Sequence, residues 1–317
     1  MSPDLSVELG GIAMRNPVMV VSGTFGYGRE YADLVDLNGL GALVVKGISL
    51  APVQGNPPPR LVEVTSGLVN AVGLQNPGFE RFVADYLPYL RDFDVPVIVN
   101  IWGTTVEEYA AVAARFNDVA GVAGLELNIS CPNIKAGGIA FGTDPDLARR
   151  VITAARAATR LPLIPKLSPN VTDIAVFARI AEECGADAIS LINTVPAMVI
   201  DVETRRPVLA NVTGGLSGPA IAPIAVKLVW EAARAVKIPV IGIGGISTAE
   251  QALEFIIAGA SAVAVGTANF ADPACSLRIV EGIREYLARH GLGSVRELVG
   301  SIEVKSEVGS RKSEVGP

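Results

Sequence analysis

The sequence is nearly empty of the side chains that build metal sites and hydrolytic triads. It holds one histidine and three cysteines in 317 residues. His290 ends the charged stretch REYLARHG, where a helix-end position beside the C-terminal dipole accounts for it. Histidine triads and histidine metal sites are thereby excluded. Cys131, Cys184 and Cys275 stand far apart and no CxxC occurs, so neither a disulfide framework nor a zinc or iron–sulfur site in this chain is supported. No uninterrupted apolar run reaches membrane-spanning length, because Gly, Pro, Asn or a charge breaks each one. The first residues, MSPDLSVELGG, lack the basic and apolar regions of a signal peptide. No membrane association is expected, and the expected location is the cytoplasm. There is no basic stripe interleaved with aromatics, and the net charge is −6, so nucleic-acid binding is not expected.

What the chain does have is apolar mass and regular alternation. Half of it (50%) is hydrophobic and the mean hydropathy is +0.43, enough for a large core. Short Val/Ile/Leu-rich runs occur at 17–22, 42–48, 95–101, 124–130, 161–167, 187–193, 238–243 and 261–266. Near-continuous runs of this kind suit strands buried on both faces of a parallel sheet. Helical patterns fall between them, at about 29–38, 77–92, 104–118, 144–159, 172–184, 219–236, 248–258 and 272–289. Thr104…Glu107 and Ser247…Glu250 fit capping boxes. Asp144-Pro145 and Asp272-Pro273 fit an N-cap followed by proline at the first helical position. Eight strand–helix units predict an α/β fold, a (β/α)8 TIM barrel. A doubly wound sheet is disfavoured by that count and by the lack of an early GxGxxG turn.

Three pieces exceed a minimal barrel. Residues 5–16 predict a β-hairpin turning at Gly10-Gly11. Residues 49–76 and 195–218 form long excursions after strands two and six. Loops after barrel strands lie on the catalytic face, so both are expected to cover the site. The last residues, KSEVGSRKSEVGP, repeat KSEVG. They read as a disordered tail or cloning remnant over 305–317, after a domain spanning 1–304.

The strand ends carry an unusual polar set. In order they are Ser22, Lys46, Asn100, Asn128, Lys166 and Asn193, then Gly244-Gly245 and Gly266-Thr267. Buried Lys and Asn are costly without partners, so a ligand-binding mouth explains the set better than packing does. The glycines after strands seven and eight suit a phosphate held by backbone N–H groups. Gly214, Gly215 and Gly218 suit the close approach of another backbone segment. The lysines fit either a Schiff base or cations that stabilise a ligand. Cys131, in ELNISCPN, fits a core residue, a nucleophile or a proton carrier.

KGIS (46–49), NAVGLQNPG (70–78), NISCPN (128–133), PKLSPN (165–170), INT (192–194), GGLSG (214–218), GIGGI (242–246) and GTA (266–268) together resemble dihydroorotate dehydrogenase. The likeness runs in order from about residue 5 to 304. Cys131, where the membrane-bound type has serine, makes the chain similar to the soluble class 1. CPNIKAGGIAFGTDP resembles the NAD-linked form (class 1B) more than the fumarate-linked form.

The resemblance implies oxidation of dihydroorotate to orotate in pyrimidine synthesis, with FMN bound in this chain. It implies a partner subunit carrying FAD and a 2Fe–2S cluster, in a heterotetramer of two of each around a homodimer core. Cys131 would be the base that takes the C5 proton. Lys46, Asn70, Ala71, Val72, Gly73, Leu74, Asn128, Asn193 and Thr194 would hold the substrate. Ser22, Lys46, Gly47, Asn100, Asn128, Lys166, Ile192 and Gly218 would line the flavin, and Gly244, Gly245, Gly266 and Thr267 would hold its phosphate. A free Cys titrates near ~8.5, within reach of base work at neutral pH after modest tuning. Cys184 and Cys275, in EECGA and PACSL, read as structural. A related dihydropyrimidine flavin enzyme, a Schiff-base lyase and a non-catalytic subunit are the competing readings.

Overall fold

The computed structural model describes residues 2–129 and 141–303. Among them, eight parallel strands close into a barrel in chain order. They are β1 (Val18–Val20), β2 (Ala42–Ile48), β3 (Val97–Ile101), β4 (Gly124–Asn128), β5 (Leu163–Lys166), β6 (Ile189–Leu191), β7 (Val240–Ile243) and β8 (Ala262–Val265). Pairing of Val263 with Val18 closes the ring between β8 and β1. Every residue of β3, β4, β5, β7 and β8 is buried. That is the reason for the continuous apolar runs: one face fills the barrel and the other meets the helices. Among the described residues no helix is long and apolar enough to cross a membrane.

The outer helices include Val106–Arg115, Pro145–Ala158, Ile174–Glu183, Ala222–Ala235, Ala249–Ala258 and Cys275–His290. Asp144 caps its helix as expected, accepting from the N–H groups of Asp146 and Leu147 at 2.9 and 3.0 Å. Both N-caps sit one residue later than the sequence suggested, and neither completes a capping box, because Glu108 accepts from Thr104 N and Gln251 from Ser247 N, each one residue before the cap. Thr105 accepts from Glu108 N, and Thr248 from Gln251 N. Each start carries two adjacent hydroxyl residues and two adjacent acidic or amide residues, so both registers fit the pattern. Asp272 does not cap the last helix. Its carboxylate accepts from Ala274 N in a turn, and the helix starts at Cys275.

The helix expected at 29–38 is replaced by turns and a single 3-10 turn, Leu37–Gly39. Asp36 accepts from the N–H of Asn38, a local bond that competes with helix continuation. The expected 77–92 segment is helical from Phe79 to Leu90, with a π-wound middle at Phe82–Tyr86. The expected hairpin is present as Val7–Leu9 paired with Ile12–Met14.

The two excursions join each other. Leu61–Val64 pairs with Gly67–Asn70, which pairs with Gly214–Ser217, which pairs with Val195–Ala197. This four-stranded antiparallel sheet lies over the strand ends and supplies residues to the cavity described next. Close approach explains the glycines: a Cβ on Gly214 would lie 2.5 Å from the Asn70 carbonyl oxygen. The expected tail at 305–317 lies outside the described residues.

Candidate active site

The C-terminal ends of the strands enclose a cavity of about 250 Å³. A second space of about 450 Å³ meets it at Leu68, Gly218, Gly245, Thr267 and Phe270. Together they run from the barrel axis to the loops after β7 and β8, in the size range of cofactor sites.

Lys46 reaches this cavity because β2 is irregular there. Its register against β3 shifts between Val45 and Ile48, which re-aims the intervening side chain. Gly47 must be small, since a Cβ would lie 2.7 Å from Asn100 Oδ1. Burial holds the Lys46 ammonium below the usual lysine range. Arg60 adds repulsion in the same direction and Glu30 opposes it. The Asn70–Leu74 loop is fixed from behind: Asn56 Nδ2 donates to Ala71 O at 2.9 Å, and Asn76 Nδ2 donates to Leu74 O at 2.9 Å. Asn128 ends β4, and its carbonyl accepts from Tyr109 Oη at 2.7 Å. Asn193 Oδ1 accepts from Thr194 N at 2.8 Å.

Below this level lies a polar cluster in which the predicted Asn100 and Lys166 meet Glu126 and Ser190, two residues given no role from the sequence. Glu126 accepts from Asn100 Nδ2 at 2.6 Å and from Ser190 Oγ at 2.8 Å. Lys166 Nζ stands 3.8 Å from Glu126 Oε2, with both side chains almost fully buried. A charge in the middle of the strand GLELN was a readable signal, because a buried carboxylate requires partners.

At the other end, Gly218, Gly244 and Gly245 take left-handed or otherwise positive φ values of 101°, 133° and 74°. A Cβ on Gly245 would lie 2.7 Å from the Gly218 carbonyl oxygen and 2.9 Å from Ala222 N. Backbone thus packs against backbone where two helices begin, a cradle that side chains would fill. Gly266 and Thr267 complete this end, and Thr267 Oγ1 donates to Ser217 Oγ at 2.9 Å.

The sequence-predicted residues Ser22, Lys46, Gly47, Asn70, Val72, Gly73, Leu74, Asn100, Asn128 and Lys166 all line the cavity. So do Ile192, Asn193, Thr194, Gly218, Gly244, Gly245, Gly266 and Thr267. Ala71 does not. It is buried with Val69 and Leu209 in a small separate cluster, because alternate residues of an extended segment face opposite ways. Cys131 lies outside the described residues. Leu61, Leu68, Gln75, Ser217 and Phe270 also line the cavity and were not anticipated. Leu61, Leu68 and Ser217 belong to the covering sheet, Gln75 to the loop after Asn70 and Phe270 to the short helix after β8, pieces whose meeting no local pattern reveals.

The three residues set aside as structural occupy structural places. His290 Nδ1 lies 2.8 Å from the Tyr286 carbonyl at a helix end. Cys184 Sγ accepts from Thr153 Oγ1 at 3.3 Å, and the buried Cys275 thiol donates to Ser247 O at 3.3 Å.

Comparison with known proteins agrees with this geometry. The family model for dihydroorotate dehydrogenase matches residues 4–287. A Pelobacter propionicus protein named dihydroorotate dehydrogenase B (NAD(+)), catalytic subunit, is 57% identical over 303 residues, covering 96% of this chain and 100% of that protein. A Geobacter sulfurreducens protein of the same name is 58% identical over 302 residues, covering 95% of this chain and 99% of its own length.

Proposed function

The chain belongs to the dihydroorotate dehydrogenase family, and from that premise we propose that it oxidises dihydroorotate to orotate as the FMN-bearing subunit of an NAD-linked enzyme. A partner subunit with FAD and a 2Fe–2S cluster would carry the electrons onward. The observation that carries this reading is the convergence of two lysines, four asparagines and a glycine cradle in one cavity. The name these relatives share supports the NAD-linked subclass and the existence of a second subunit.

The residues present fit FMN. Gly244, Gly245, Gly266 and Thr267 form the end where a phosphate would meet backbone N–H groups and nearby helix starts. Asn100, Lys166, Ser22 and Gly47 would line a planar ring with donors, acceptors and positive charge. Bound there, FMN would supply the hydride acceptor.

This chain's own residues would do the rest. Asn70, Asn128, Asn193 and Thr194 would hold the carboxylate and ring amides of the substrate, and fix which face it presents. The Lys46 ammonium would lie beside both ligands and offset their negative charge. The four-stranded sheet would exclude water from above. Cys131, three residues past Asn128, would accept the C5 proton, a role that rests on the family resemblance. In this chemistry the thiol is a proton acceptor and forms no covalent adduct.

Co-purification with an assay tests the proposal. Reduction of NAD that appears only with an iron–sulfur partner is the expected result. FMN-only protein fully active with fumarate would overturn the subclass.

A further inference from the structure

One buried carboxylate is unused by the site as described. Glu126 lies two residues before Asn128 on the same inward face of β4, and is 3% exposed. It is held by groups from three other strands: Asn100 on β3, Lys166 on β5 and Ser190 on β6. Barrel interiors are ordinarily filled by branched apolar side chains. Replacing a buried ion pair by apolar groups is often neutral or stabilising, so packing alone gives no reason for this one.

The cluster has a direction. Lys166 and Asn100 line the cavity, whereas Glu126 and Ser190 lie behind them and do not. Glu126 therefore contacts the cavity only through the two residues in front of it. It takes the Asn100 Nδ2 donor, which leaves Asn100 Oδ1 near Gly47 as the acceptor at the ring. It also places a negative charge behind the Lys166 ammonium.

We propose that Glu126 is a positioning residue that lowers the reduction potential of the bound flavin by offsetting the charge of Lys166. The inference rests on the flavin reading given above. Reduction adds negative charge to a flavin ring, and a lone ammonium beside it would favour the reduced form. A carboxylate behind that ammonium opposes the effect. The consequence suits a flavin that must pass its electrons to a nicotinamide acceptor through a partner. Retained too strongly, they would not leave.

The test is the midpoint potential of FMN in the purified, flavin-loaded protein, measured by equilibration with a reference dye. Glu126→Gln removes the charge and keeps the size. At an effective dielectric constant of about 20, a unit charge one contact behind the lysine is expected to matter by about tenfold or more. The oxidised–reduced equilibrium is thus expected to shift about tenfold toward reduced flavin, a rise of about 30 mV for a two-electron couple. A purely structural role would weaken flavin binding and leave the oxidised–reduced equilibrium within threefold of wild type, which would overturn the proposal.

Should that variant not fold, Glu126→Gln combined with Lys166→Met removes both charges together. The proposal expects its equilibrium to stay within tenfold of wild type. A fall beyond tenfold means that Lys166 acts unopposed, and refutes it. Wild-type protein that takes up no flavin would sink the functional reading itself, whereas flavin-loaded protein indifferent to Glu126 would sink only this inference.

Discussion

Replacing Gly245 by alanine probes the proposed phosphate cradle directly. Its φ of 74° lies where a side chain is strained whatever the surroundings. The left-handed conformation costs an L-residue roughly 1–2 kcal/mol. The added Cβ would also lie 2.7 Å from the Gly218 carbonyl oxygen and 2.9 Å from Ala222 N and Cβ, with backbone atoms among the obstacles. Backbone cannot give way as the end of a flexible side chain can. Relief comes by moving the Gly245 turn off the start of the Ala222–Ala235 helix, which opens the cradle. The loss therefore falls on phosphate binding. About 2 kcal/mol corresponds to roughly a 30-fold weaker FMN affinity.

The assay is fluorescence titration of flavin-free protein with FMN. Gly293→Ala is the control: it has ordinary φ, lies outside the cavity, and its Cβ would come no nearer than 3.5 Å to Glu297 Oε1. It is expected to bind as wild type does. FMN affinity within threefold of wild type for folded Gly245→Ala would refute the cradle assignment.

Cys131→Ser is expected to retain flavin and orotate binding while losing at least about 100-fold in turnover at neutral pH, since a hydroxyl is a much weaker base; undiminished turnover would remove the base assignment. Arg60→Gln removes one of the causes that hold Lys46 below the usual lysine range. The loss of orotate affinity at high pH, measured by flavin difference spectra, is then expected to move to higher pH, and an unmoved or lowered midpoint contradicts the electrostatics. For the same lysine the unfolded chain binds more protons between the depressed folded value and the ordinary one, so its contribution to stability should rise with pH through that alkaline window. Asp144→Ala removes the acceptor of two backbone N–H groups and should lower stability by about 1 kcal/mol in thermal unfolding, with FMN affinity unchanged.

The barrel was legible because its strands are buried on both faces and each must be written in Val, Ile and Leu. The strand-end residues were legible once the strands were placed, since a lysine or asparagine at such a position needs a ligand or a partner. Besides the 29–38 helix, the Asp272 cap and Ala71, three things escaped for physical reasons. Strand pairing between the excursions joins residues far apart, such as Asn70 and Gly215, and no local pattern encodes it. The cap registers were ambiguous because each start offers two equivalent donor–acceptor pairs. Glu126 was quoted in its strand but given no role, because its partners Asn100, Lys166 and Ser190 come from three other strands.

The central claim is that this cavity holds a flavin that dihydroorotate can reduce. Anaerobic mixing of the purified protein with dihydroorotate tests it in one step. The account predicts a yellow protein whose flavin absorbance bleaches on mixing, without NAD reduction until the partner subunit is added. A colourless protein that takes up no FMN, or a bound flavin that dihydroorotate leaves oxidised, would contradict it.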